Sequence, residues 1–249
     1  MPRHAALAAA FLALAGVACD PQADASSYRG EPLFEFDGTV VAATSAALPD
    51  VEIGVAWQGG AVPALASSVA AVERNPVSRS GATGDFTVRI YVPPPASAYL
   101  ALAAGDPRVA VATLGAFPAG NASSQAAPPY PAGGFYSGYD LDTWVVHLAG
   151  DVPAGSATAW WLGGSAKAGF HLVHLTDAGC PTTDEVAACV AALTALGVSP
   201  FPSDGPVGAS GGGGAEALCK ARYRLSLAPA STTISFEIGA AAADPWACP

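Results

Sequence analysis

The chain has 249 residues, enough for one large β domain or two small ones, and a formal net charge of −10. Its lysines are Lys167 and Lys220 alone, and no basic run exists. Nucleic acid is thereby excluded as a partner, because phosphate binding needs clustered Lys and Arg. The acidity is scattered and serves solubility. Past residue 18 no apolar run reaches the roughly 18 residues that read as a membrane-spanning helix. The 28 glycines and 22 prolines suit short strands joined by frequent turns.

The N-terminus reads as an export signal over residues 1–18. Pro2, Arg3 and His4 form a short basic start, and Ala5 to Val17 is a 13-residue apolar core, too short to anchor by itself. Gly16-Val17-Ala18-Cys19 follows. Cys19 has three readings: the end of a discarded peptide, half of a disulfide, or the first residue of the mature chain. The segment resembles the lipobox of bacterial lipoproteins, with Gly16 standing where that pattern usually has Leu. The resemblance implies a lipidated Cys19. The competing reading is ordinary cleavage that leaves Cys19 unmodified. Buried acyl chain contributes ~0.8 kcal/mol per CH₂, so more than one chain anchors stably. The expected location is exported and lipid-anchored at the cell envelope, at the outer membrane or cell surface, with the membrane as a partner.

Five cysteines is an odd count. Setting Cys19 aside leaves Cys180, Cys189, Cys219 and Cys248, disulfide candidates in an exported chain with three connectivities open. No C-x-x-C spacing points to zinc. Short reach favours Cys180–Cys189 together with Cys219–Cys248.

In chain order, residues 19–32 form a polar tether. "LFEFDGTVVA" alternates as a strand from Leu33, with a bulge expected at Gly38. Val51, Ile53, Val55 and Trp57 share one face of the next strand. Gly84-Asp85 supplies a turn before a strand with Phe86, Val88, Ile90 and Val92 inward, stopped by Pro93-Pro94-Pro95. Arg108 to Phe117 is another strand, and 118–140 a loop. Thr143–Ala149 and Gly169–Thr176 are strands, and Ser156–Gly164 between them is a strand or a short helical turn. Thr182-x-x-Glu185 is a capping box that opens a helix over 183–196, ended by Gly197 and Pro200. A Gly/Ser-rich excursion covers 199–214. Arg222–Ala228 and Thr232–Ile238 close the domain as a hairpin about Pro229-Ala230-Ser231, and 241–249 is a tail. The expected fold is mainly β: an antiparallel β-sandwich of about eight strands over 33–240, with one inserted helix.

"YRGEPLFEFDGTV", "VEIGVAW", "GDFTVRIYVPPP" and "AGFHLVHL" together resemble a group of uncharacterised predicted lipoproteins of myxobacteria. The unit ending in "GDFTVRIYVPPP" is similar to transthyretin-like (carboxypeptidase-regulatory-like) sandwich modules, accessory domains of exported proteins. These resemblances cover about half the chain and imply no catalytic residue.

Candidate chemistry is sparse. Gly208-Ala-Ser210-Gly-Gly212 has the letters of a nucleophile elbow, but it lies in a Gly/Ser loop and no His follows Ser210. His171 and His174 point to opposite faces if they sit on a strand, so they cannot chelate one metal. His147 and His171 could pair across neighbouring strands, but hydrogen-bonded core histidines are the simpler reading. Asp140 and Asp142 offer two carboxylates for calcium, which needs six to eight oxygens, and a solvated turn is the plainer assignment. Tyr130, Phe135, Tyr136, Tyr139 and Trp144 fall within 15 residues among Gly and Pro. They either cap one end of the sandwich or bind a glycan or an envelope protein. The outward ring of Trp160-Trp161 is a second surface candidate. These readings add up to a non-catalytic accessory, adhesive or scaffold lipoprotein without a cofactor. The alternative is a carbohydrate- or peptide-binding lipoprotein using loop 130–144, and a secreted enzyme ranks third.

Overall fold

The computed structural model describes residues 30–42, 47–58, 69–118, 139–199, 214–221, 223–228 and 234–238. The signal segment, Cys19, Tyr130, Phe135, Tyr136, Ser210, Cys248, the turn at Pro229–Ser231 and the tail lie outside them.

The fold is mainly β. Among the described residues the ten strands are β1 (Phe34–Ala42), β2 (Val51–Gln58), β3 (Val69–Ser80), β4 (Thr83–Ile90), β5 (Tyr99–Leu100), β6 (Val109–Pro118), β7 (Tyr139–Leu148), β8 (Gly169–Asp177), β9 (Tyr223–Leu227) and β10 (Ile234–Ile238). They hydrogen-bond in the order β10-β1-β4-β3-β2-β6-β7-β8-β9, with β5 added alongside β6. All pairs are antiparallel except β1 with β10. The sheet curls on itself. Phe34 of β1 stacks on Phe170 of β8 at 5.5 Å between ring centroids, although five strands separate β1 from β8 along the hydrogen-bonded path. The facing layers are therefore two limbs of one continuous sheet.

Two cores lie on opposite faces of β6–β8. Even-numbered β6 residues, Ala110, Ala112, Leu114 and Ala116, join Val145 and Leu172 on the inner face, against Phe36, Val40, Ile53, Trp57, Val88 and Ile90. Odd-numbered Val109 and Val111 join Trp144, Val146, Val173 and Leu175 on the outer face, beneath three helices. Strands covered on both faces need no polar side, which explains runs such as "VAVATLGAF". Each fully buried large side chain contributes roughly 1.5–3 kcal/mol of transfer free energy.

The helices are α1 (Ala157–Leu162), α2 (Thr183–Ala195) and α3 (Ala215–Lys220). α1 settles the open choice over Ser156–Gly164. The Ser156 side chain accepts from the Ala159 N–H, and Asp106 accepts from both the N–H and the hydroxyl of Thr158 at 2.8 Å. Gly163 ends the helix at φ +72°, and a Cβ there would lie 2.9 Å from the Leu225 carbonyl oxygen. α2 has the expected capping box. The Thr182 N–H donates to Glu185 at 2.7 Å, and with the Thr182 hydroxyl it holds the Glu185 carboxyl below its usual pKa.

Several expectations are corrected. Gly38 makes no bulge: the β1–β4 register runs unbroken through Gly38↔Phe86. The turn before β4 is Gly81-Ala82, closed by Ser80↔Thr83, and Gly84 lies inside β4 beneath Val77 and Leu48. Val92 is exposed, because β4 ends at Ile90 before the prolines. Asp140 and Asp142 fall within β7 rather than in a loop. β9 and β10 form no hairpin; β9 pairs with β8 and β10 with β1, at opposite ends of the sheet. Cys189 of α2 is joined to Cys219 of α3, Cα atoms 5.8 Å apart, in place of the pairings Cys180–Cys189 and Cys219–Cys248. Helix α3 was invisible as a partner in the sequence because its six residues carry too little periodicity. Cys180 is also in a disulfide, with a partner outside the described residues.

Candidate functional site

β3 begins against β2 and finishes against β4. Residues 69–76 pair with β2, and the pairing with β4 covers only Val77↔Phe86 to Ser80↔Thr83. Alternate residues of β4 bond to alternate edges: the Leu33 N–H donates to the Ile90 carbonyl on the β1 side, whereas Arg89 turns its N–H toward β3. Proline 76 has no N–H to give β4. The ladder ends there, and β3 peels away toward β2.

The gap is bridged by a side chain. Asn75, 5% exposed, accepts the Arg89 N–H through Oδ1 at 2.8 Å. That bond fixes the amide orientation and leaves Nδ2 buried with no partner among the described residues.

Outside this seam lies an open cleft of about 960 Å³ on the solvent face of β1, β4 and β3. Its polar groups come from all three strands: Asp37 of β1, Asp85, Thr87 and Arg89 of β4, Arg74 and Ser78 of β3. Tyr91, just past β4, lines it too. Strand alternation aims these side chains outward while Phe36, Phe86 and Val88 fill the inner core. Several are held in place. The Thr87 hydroxyl donates to Asp37 Oδ1 at 2.7 Å, Arg89 Nε donates to Glu35 at 2.5 Å, and Arg74 Nη1 to Glu52 at 3.1 Å. The hydrogen bond and charge of Glu35 raise the Arg89 pKa further, so this guanidinium is a permanent cation. Glu35 and Glu52 neutralise the two guanidiniums, so Asp37 and Asp85 leave the cleft acidic on balance, with donors and acceptors interleaved.

A second polar cluster sits at one end of the inner core. Tyr99 Oη lies 2.7 Å from His147 Nδ1, and the His147 ring meets Phe170 edge-on at 4.4 Å. Burial, then the charge of His171, lowers the His147 pKa. Burial raises that of Tyr99 against the opposing effect of Arg108, whose guanidinium lies 5.3 Å from the Tyr99 ring centre. This cluster satisfies polar groups inside an apolar surround.

The residues singled out in the sequence do not converge. His171 and His174 take opposite faces: His174 lies 3.1 Å from the Thr143 hydroxyl, while His171 Nε2 is 2.7 Å from the Lys167 carbonyl oxygen. His147 pairs in register with Phe170, and His171 with Val146, so His147 and His171 also face apart. Among the described residues no group of three or more His, Cys, Asp or Glu is placed to hold a metal ion. Trp144 is 5% exposed in the outer core, which leaves it no surface to offer a ligand. Tyr139 starts β7. Trp161 is buried, and the half-buried Trp160 has the Arg224 guanidinium 5.9 Å from its ring centre.

The cleft was missed because β3 hides in "VAAVERNPVSRS", where charged residues and Pro76 break the alternation. The usable signal was Gly81 after Ser80, which marks a hairpin turn pointing back to a strand before it. No protein-family model, curated protein or solved structure matches this chain.

Proposed function

We propose that this chain is an exported, lipid-anchored, non-catalytic accessory, adhesive or scaffold module of the cell envelope, held at the membrane through Cys19. The observation that carries the reading is the cysteine count. Cys189 and Cys219 are paired with each other, and Cys180 is in a disulfide as well. Two bonds take four of the five cysteines and suit an oxidising compartment. Pairing of Cys180 with Cys248 leaves Cys19 over, at the end of the signal-like segment, as the site for acylation.

Mass spectrometry of the mature N-terminus with a non-reducing peptide map tests this. The expected result is a diacylated or triacylated Cys19 and a Cys180–Cys248 peptide. A Cys19–Cys180 peptide, or an unmodified Cys19, overturns the anchor. Cys19→Ser is expected to release the protein from the membrane fraction.

A second reading, carbohydrate or peptide binding, is favoured by the cleft beside Pro76. Its volume of about 960 Å³ is at the upper end of small-molecule sites, roughly 300–1,000 Å³. The outward Asp, Arg and Thr side chains on a rigid sheet supply fixed polar contacts.

A further inference from the structure

We infer that the cleft on the outer face of β1, β4 and β3 is a binding site for a neutral carbohydrate chain, an inference that rests on the ligand-binding reading above. Three features select this chemistry. Asp37 and Asp85 accept hydrogen bonds while Arg89 and Ser78 donate them, all lining one cleft. A sugar hydroxyl both donates and accepts, so neighbouring hydroxyls match an interleaved set of acceptors and donors. Charge-assisted hydrogen bonds of this kind are the stronger ones. Glu35 and Glu52 already neutralise Arg89 and Arg74, so Asp37 and Asp85 set an acidic balance that repels an anionic ligand while accepting from sugar hydroxyls.

Several groups are already oriented before a ligand arrives. Asp37 is fixed by the Thr87 hydroxyl, Arg89 by Glu35 and Arg74 by Glu52. Preordering lowers the side-chain entropy lost on binding. Tyr91 lines the same cleft, an aromatic side chain of the type that packs against sugar rings.

A peptide bound by strand addition fits less well. Inserting a strand between β3 and β4 requires those strands to stand two spacings, roughly 9–10 Å, apart. Asn75 instead reaches the β4 backbone with its own side chain and occupies the Arg89 N–H that an added strand needs. The seam is closed at its floor, and recognition falls to the side chains above it.

Calorimetry on the full mature chain tests the inference, with neutral hexasaccharides of glucose, xylose, mannose and N-acetylglucosamine as probes and an extended hexapeptide as comparison. The expected result is saturable binding of at least one hexasaccharide. Asp37→Ala and Arg89→Ala are each expected to weaken it about tenfold or more, the loss of one hydrogen bond to a charged group. Lys167→Ala, on a remote surface ion pair with Asp151, is expected to leave affinity unchanged. Melting temperatures of the variants separate lost contacts from lost folding, and Asp37→Asn keeps the shape where Asp37→Ala disturbs it. Binding of the peptide alone overturns the carbohydrate assignment and leaves the ligand-binding reading standing. Saturable sugar binding unaffected by Asp37→Ala, Asp37→Asn and Arg89→Ala overturns this location. Absence of binding to every probe overturns both readings.

Discussion

Gly38→Ala is the sharpest single perturbation of this fold. Gly38 sits in β1 between β4 and β10, paired with Phe86 on one side and Ile234 on the other. A Cβ at this position lies 2.2 Å from Phe86 Cζ, 2.6 Å from Cε2 and 2.8 Å from the Ile234 carbonyl oxygen. Carbon atoms rest at about 3.5–4.0 Å, so the Phe86 ring must retreat by roughly 1.3 Å or more. The ring is 4% exposed, and Val40 and Val88 of the same core are fully buried, so it has little room to move. Forced overpacking of this kind costs about 1–3 kcal/mol. At roughly 2–4 °C per kcal/mol for a chain of this size, the melting temperature is expected to fall by about 2–12 °C. Thermal and urea unfolding of the purified protein measure it. A double-mutant cycle isolates the cause: with Phe86→Ala, itself costing about 3–5 kcal/mol, the added methyl has a space to enter and most of the Gly38→Ala penalty is expected to vanish. Equal penalties in the two backgrounds, or a Gly38→Ala variant as stable as the parent, would refute the close-contact reasoning.

Replacing Cys189 and Cys219 together with Ala opens a loop of sequence separation 30, and denaturant unfolding is expected to register a loss of about 3–4 kcal/mol on the chain-entropy account. His147 is expected to titrate below the usual range near 6.5 in a histidine NMR titration. Its neutral form carries the stabilisation, which is fully present above the unfolded pKa and is lost as pH falls through the lowered native value, so the melting temperature is expected to decline on acidification below about pH 6.5; a His147 that titrates at or above that value contradicts this. Asn75→Ala removes the acceptor of the Arg89 N–H and is expected to cost about 1–3 kcal/mol. Amide exchange at Arg89 is expected to quicken in the same variant, and an unchanged exchange rate refutes the bridging role.

Legibility in the sequence followed the physics of each element. Strands β1, β2 and β4 were readable from alternation, and β6 to β8 as short apolar runs of the kind that strands covered on both faces carry. α2 was readable from Thr182 and Glu185, which announce a helix start through local hydrogen bonds alone. α1 was ambiguous because its cap depends in part on Asp106, about fifty residues upstream, whose contact with Thr158 no local pattern encodes. The pairing of β9 and β10 was misread for the same reason. Two strands five residues apart or more form a hairpin only if no other edge competes, and here the curl of the sheet offers β8 to one and β1 to the other. The Cys189–Cys219 bond likewise depends on α3 packing beside α2, a tertiary fact.

The candidate site was illegible for a more specific reason. A proline inside a strand pattern ordinarily argues for an edge or against a strand altogether, and Pro76 stands in the middle of a twelve-residue one. The structure reconciles this by letting β3 change partners at that residue. Glu52 of β2 faces Pro76 in the register, on the β2 ladder, and on the other edge the missing N–H ends the ladder to β4. The same absence opens the outer face of the sheet above Asn75 and leaves Arg74, Asp85 and Arg89 around a recess instead of on a flat surface. A residue that defeats the periodic reading of β3 is thus the one that shapes the cleft. Local rules fail most often where a fold is doing something other than packing, and in this chain the failure and the cleft share one residue.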